Sequence, residues 1–253
     1  MNVRLKFFIS LSFLVITTTS FGQASIKDSS INMSIVGFDF SYSIPDKDMA
    51  DRFGGFSQLG ISYSFKFSNN IILGTSANLM FGTTVKENDI FSNISTSEGY
   101  LIDNQGLLVP VAQELRGFNC DAKISYLIPV LGPNPNSGLI IGIGTGFLQH
   151  KIFHTYSFGP LYQIEGEYAK GYDRLSNGAT LIQQVGYYRF NNKNLGSFHA
   201  IFSITEGFTK NRRDLNFDMM AAPDVNRMDI FYSLSIGLDL PLFTRSPDKF
   251  YIN

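Results

Sequence analysis

The chain has 253 residues, a formal net charge of −1 and only 16% charged residues, so nothing in its charge recommends nucleic acid as a partner. Cys120 is its one cysteine, which rules out an intrachain disulfide and with it a small disulfide-stapled secreted domain. Phe and Tyr are abundant at 24 and 12, Trp is absent and Gly reaches 23, a composition that suits strands facing lipid.

The first residues predict an export signal. Arg4 and Lys6 form a basic stretch, residues 7–16 an apolar one, and Ser20-Phe21-Gly22 places small residues where a signal peptidase inspects the chain. Residues 1–22 are therefore expected to be a signal peptide and 23–253 a single β-barrel domain. The apolar stretch is too short to span a bilayer, which takes about 20 residues. Cleavage takes Arg4 and Lys6 away and leaves 18 basic against 21 acidic residues, a net of −3.

Beyond the signal, apolar residues alternate by two, the period of a strand with one apolar and one polar face. Val36, Phe38, Phe40 and Tyr42 alternate with Gly37, Asp39, Ser41 and Ser43. The rhythm recurs in Leu59–Ile61–Tyr63–Phe65–Phe67 and in Leu73–Thr75–Ala77–Leu79–Phe81. It returns in Phe118–Cys120–Ala122–Ile124–Tyr126, in Leu139–Ile141–Ile143–Thr145–Phe147 and in Phe198–Ala200–Phe202–Ile204. The last run is the longest: Met228, Ile230, Tyr232, Leu234, Ile236, Leu238, Leu240 and Leu242 share one parity, with Phe231 the bulky intruder on the other. Residues 178–190 are the least regular, since Leu181, Val185 and Tyr187 argue for one outward face while Ile182 and Phe190 argue for the other. Eight strands are predicted, and apolar spacing of three and four, which helices need, is missing from these runs.

Short connections, at 68–70, 131–138 and 191–196, alternate with long ones at 45–54, 85–113, 151–177 and 210–226. That order is expected of an eight-stranded antiparallel up-and-down transmembrane β-barrel with short periplasmic turns and long extracellular loops. A soluble lipocalin-like carrier in the periplasm also alternates, but its outward face must be wet. Here the polar parity is mostly Gly, Ser, Asn and Thr, which suits the crowded inside of a narrow barrel. The Leu, Ile, Phe and Tyr parity is therefore expected to face outer-membrane lipid, with aromatic residues near the strand ends.

The signal ending SFGQ, the eight alternating strands and loops containing GYDRLSNG and GFTKNRRDLNFD resemble small outer-membrane β-barrel proteins of Bacteroidota, the porin-like superfamily with PorT- and PorG-type members. The resemblance implies an outer-membrane home and a link to type IX secretion or gliding machinery, with other secretion proteins as partners. It carries no catalytic residues. One departure is the tail TRSPDKFYIN after Phe243, where many such barrels end on an aromatic residue of the last strand.

Motifs that could carry chemistry read better as structure. GIGTG at 142–146 lacks the helix that a phosphate-binding loop must open, so its glycines are expected to leave room inside the barrel. His150 and His154 stand four apart with no carboxylate close in sequence, a poor metal site. His199 shares the inner parity with Ser203, and a Ser-His-Asp arrangement acting on lipid or peptide is the enzymatic alternative. The preferred reading is a lumen polar network of Asp39, Lys66, Asp121, Lys123, His199, Asp229 and Asp239 in which Lys66 and Lys123 offset the acids. Tyr172, Asp173, Arg174, Arg212, Arg213 and Asp214 fall in the outside loops, either docking a protein or glycan or packing on one another. The expected function is structural, assembly or partner-docking, non-enzymatic and without cofactor or metal.

Overall fold

The computed structural model describes residues 26, 29–87, 89–157, 159–191, 196–221 and 226–242. The expected signal peptide at 1–22, turn residues 192–195 and the tail from Phe243 onward lie outside the described residues.

Eight antiparallel strands close into one barrel: β1 (Met33–Asp46), β2 (Phe56–Lys66), β3 (Ile71–Gly82), β6 (Ala112–Ile128), β7 (Gly138–Thr155), β8 (Ser176–Arg189), β9 (Ser197–Asn211) and β10 (Asn226–Leu242). Each barrel strand pairs with the next barrel strand along the chain, β3 with β6 included, and β1 pairs with β10 to close the ring. Strands β4 (Leu101–Ile102) and β5 (Leu108–Val109) form a separate small hairpin within the longest loop. The cross-strand register fixes the stagger. Following paired residues from Val36 through Tyr63, Thr75, Ala122, Thr145, Leu181, Glu206 and Ile230 returns to β1 at Asp46, ten residues above the start. Eight strands with a stagger of that size imply a tilt of roughly 35–45° and an interior that side chains can fill.

The apolar parity faces outward. Phe38, Phe40, Leu59, Ile61, Ile143, Leu234, Ile236 and Leu238 are each more than half exposed. Such a wall is the opposite of what a soluble lipocalin-like barrel needs, where these residues would fill the inside. The irregular segment resolves the same way, with Leu181 and Val185 outward and Ile182, Tyr188 and Phe190 buried within.

Three features depart from the sequence expectation. The strands run further at their loop end than the apolar rhythm does: β7 reaches Thr155 and β6 begins at Ala112. There the outward positions become Glu114, Arg116, Gln149 and Lys151, so the hydrophobic signal stops while the hydrogen-bond ladder continues. Arg116 pairs with Glu114, and both Arg116 and Lys151 lie over the Phe153 ring, 5.9 and 5.8 Å from its centre. Helix α1 (Lys47–Arg52) is the second difference, too short for any periodicity to betray it. The Asp46 carboxylate accepts from Lys47 N at 2.8 Å at its start, and its Met49 and Arg52 point inward over the barrel mouth.

The third difference is the interior itself. At the loop end the lumen is apolar, filled by Phe56, Met80, Leu115, Leu148, Ile152 and Phe231 from the strands. Met49 of α1 and Phe53 just after it close over them, and Ile90, Phe91, Leu101, Leu161 and Tyr172 descend from the long loops. Phe231 is 1% exposed and meets Phe56 edge-on at 5.4 Å. The loops are thus the lid of a hydrophobic core. Burying each large side chain contributes about 1.5–3 kcal/mol relative to exposure.

Candidate functional site

Below that core the lumen is polar, and the inward acids and bases sort into separate clusters. The middle one spans three adjacent strands. Asp39 on β1, Gly237 on β10 and His199 on β9 stand side by side in register. Because Gly237 has no side chain, His199 reaches across it, and its Nε2 bonds Asp39 Oδ1 at 2.8 Å. Nδ1 faces Asp239 at 3.0–3.1 Å. A ring whose two nitrogens both meet ionised carboxylates donates from both, in the charged form. The cluster therefore holds one positive and two negative groups. No nitrogen is left on His199 to take a proton from a serine, the step the Ser-His-Asp alternative requires.

A Cβ added at Gly237 would lie 2.2 Å from His199 Cε1 and 2.5 Å from Asp39 Oδ1. Gly237→Ala is accordingly expected to cost about 1–3 kcal/mol through overpacking. The midpoint of urea unfolding, followed by the heat-dependent shift of the folded band on gels, measures it.

Toward β3 and β6, Ser76 donates to Asp121 at 2.7 Å and Lys123 Nζ lies 3.0 Å from the same carboxylate. Serine pairs fill the neighbouring wall, Ser41 with Ser235 and Ser43 with Ser233, each at 2.7 Å. Lys66 lies elsewhere. It is fully buried at the turn end, where its Nζ donates to Ser30 Oγ, Ile31 O, Phe67 O and Asn136 Oδ1 at 2.8–3.4 Å. The sequence expectation that Lys66 offsets a lumen acid is thus corrected: its partners are neutral oxygens of the turn and of the segment before β1. Asn136 also accepts from Ile31 N and donates to Ile26 O and Ser29 O, so this end of the barrel is plugged.

Asp229 forms a fourth cluster near the apolar core. It accepts from Thr209 Oγ1 at 2.5 Å and meets His150 Nε2 at 2.8 Å, with both acid and imidazole fully buried. The carboxylate near His150 comes from 79 residues away, which is why nothing in the local sequence announced it. His154 instead lies 3.4 Å from the Tyr172 carbonyl, so the two histidines do not share a ligand.

Over the apolar core the loops are stitched together by charge. Arg52 of α1 donates to Glu87 Oε1 at 2.5 Å, and Arg174 donates to Glu87 Oε2 at 3.1 Å. Arg174 also grips Asp218 with both terminal nitrogens, at 2.8 and 2.5 Å. Arg213 holds Asp173 in the same two-point way. Four loops are joined by these pairs. Tyr172, Asp173 and Arg174 are 5% exposed, so they build the cap from within and do not present themselves to a partner. Arg212, exposed, donates to Asn177 Oδ1 at 2.6 Å, and Asp214 is exposed as well. Glu87 and Arg52 had no sequence signal, since they stand 35 residues apart in segments without a motif.

Burial alone would raise the Glu87 pKa, but the Arg52 and Arg174 guanidiniums outweigh it and hold the carboxyl below its ordinary value. Burial pulls Arg52 below an ordinary guanidinium against the opposing pull of Glu87.

The sequence matches no protein-family model and no curated protein. Among solved structures the chain is similar to Ail, the attachment invasion locus protein of Yersinia pestis, crystallised with the heparin analogue sucrose octasulfate. The identity is 12%, the TM-score 0.41, and the match covers 83% of this chain and 99% of Ail. Outer membrane protein OprG of Pseudomonas aeruginosa is similar at 10% identity and TM-score 0.38, covering 88% of this chain and 100% of OprG. The N-terminal β-barrel domain of OprF from the same organism follows at 10% identity and TM-score 0.34, over 81% of this chain and 96% of that domain. Similarity of this degree transfers no site chemistry to this chain, whose reading rests on its own side chains.

Proposed function

We propose that this chain is an integral outer-membrane barrel with a structural, assembly or partner-docking role, neither a pore nor an enzyme. The observation that carries the proposal is an exterior of exposed Leu, Ile, Phe and Tyr wrapped around a lumen stoppered at both ends. In hydrocarbon every backbone polar group must be paired internally, which a closed ring of strands achieves. The short-turn end, with its Lys66 plug, then lies in the periplasm and the capped end outside. Apolar packing at the capped end and the Lys66–Asn136 plug at the other leave no wide aqueous path. The cap's outer face carries Tyr162, Tyr168 and Met220, each 62–72% exposed, where a partner would dock. The resemblance to PorT- and PorG-type barrels makes a place beside secretion or gliding machinery the finer form of this reading.

Planar-bilayer recordings of the purified barrel test the closed lumen. No stable large open state is expected, and a steady wide conductance would refute the plugged interior. Affinity capture from detergent-solubilised outer membranes, with the cap intact or with residues 156–175 deleted, tests docking. Partners lost only with the deletion support it.

A further inference from the structure

Two long polar side chains lie within the apolar part of the outward wall. Gln183 on β8 is exposed, and its outward neighbours are Leu181 and Val185 along the strand with Ile143 and Ile204 across the register. Glu206 on β9 is likewise ringed by Ile204 and Phe208 along its strand and by Leu181 and Ile230 across it. Their mutual contact is long, Gln183 Nε2 to Glu206 Oε1 at 3.4 Å. Thr145, another polar residue on the same face, is different because its hydroxyl donates to the Thr180 carbonyl at 2.9 Å. Facing lipid alone, the Gln183 amide would keep a second N–H and an oxygen with no partner, and an unmet polar group in hydrocarbon is costly.

We propose that the β8–β9 face is a contact between two copies of this chain within the membrane, centred on Gln183. The occupant follows from the chemistry of a primary amide, which carries both donor and acceptor and can therefore satisfy itself across a two-fold axis. Two copies inserted in the same direction are related by an axis along the membrane normal, which brings Gln183 against its own counterpart at equal depth. Each amide then gives one N–H to the second copy's amide oxygen and the other to its own Glu206. Leu181 and Val185, each about half exposed, and Ile143 at 64% supply the apolar surround of such a contact. A lipid chain offers the amide neither donor nor acceptor, whereas the amide of a second copy offers both.

The contact rests on the membrane reading, and the test separates the two. Full-length protein with Cys120→Ser is given Leu181→Cys on this face, or Ala77→Cys on the opposite wall as control, and is oxidised in native membranes. Dimer-sized product is expected from Leu181→Cys and not from Ala77→Cys. Adding Gln183→Leu is expected to lower it about tenfold, the scale of hydrogen bonds in lipid. Gln183→Asn, which keeps the amide, is expected to retain part of it. The heat-dependent gel shift reports whether each variant is a folded barrel. A folded, membrane-bound chain that gives no Leu181→Cys dimer, a dimer unchanged by Gln183→Leu, or cross-linking to a different protein would overturn the contact alone. A chain found in the aqueous fraction would overturn the membrane reading first.

Discussion

Replacing His199 with Leu is expected to destabilise the barrel by about 3–5 kcal/mol, the loss that follows when one partner of a buried charge cluster is removed. Asp39 and Asp239 would then face each other across Gly237 with no cation between them. Leu fills similar volume, so the loss would be electrostatic and not a matter of space. Adding Asp239→Asn should recover a substantial part, because one carboxylate can then find neutral donors. A double-mutant cycle from urea midpoints in lipid vesicles measures this coupling. Strict additivity of the two substitutions would mean that the three residues do not act together. The same comparison bears on function: a histidine held by two acids supports the fold, whereas a catalytic histidine could be replaced with little change in stability.

Glu87→Ala is expected to loosen the cap while leaving the barrel closed. It removes the carboxylate paired with the Arg52 guanidinium, whose side chain is 3% exposed, and leaves Arg174 to Asp218 alone; breaking such a buried pair costs about 3–5 kcal/mol locally. Limited proteolysis should cut within 86–110 and 156–175 in the variant, under conditions where the parent is intact, with the heat-dependent gel shift unchanged. Acid should act in the same direction. The Glu87 carboxyl is held below its ordinary 4.5 in the folded cap. Its contribution is therefore fully present above that pH and is lost as pH falls through the lowered folded value. Protection of the loops in the parent should accordingly fade below about pH 4.5 and be less pH-dependent in Glu87→Ala. Equal protection of both proteins at neutral pH would show that the pairing does not hold the cap.

What could be read in the sequence was the direction in which side chains face, because an alternation of two reports the face and nothing else. Leu234, Ile236 and Leu238 were placed outward on that ground alone, and they are 58–66% exposed. Depth along the barrel left no such trace. Phe231 and Phe56 share the inward parity with Ser235 and Ser62, yet the phenylalanines pack into an apolar core under the cap while the serines line a polar lumen. The distinction depends on which loop residues descend to meet them. The charged pairs of the cap were equally invisible, since the partners of Glu87 lie at Arg52 and Arg174. Lys66 shows the limit of composition: a lysine on the parity of the inward acids suggested a pair, but its position one residue from a turn put neutral oxygens within reach first.

The central claim is that the Leu–Ile parity of β10 touches lipid while the Ser–Gly parity lines a plugged interior. Spin labels placed singly at residues 233–238 in a Cys120→Ser background, in reconstituted vesicles, test it through collision with oxygen and with a water-soluble nickel complex. Oxygen accessibility should peak at Leu234, Ile236 and Leu238 and fall at Ser233, Ser235 and Gly237, with little nickel contact at the peaks. A reversed pattern, or nickel contact at Leu234, Ile236 and Leu238, would contradict the account.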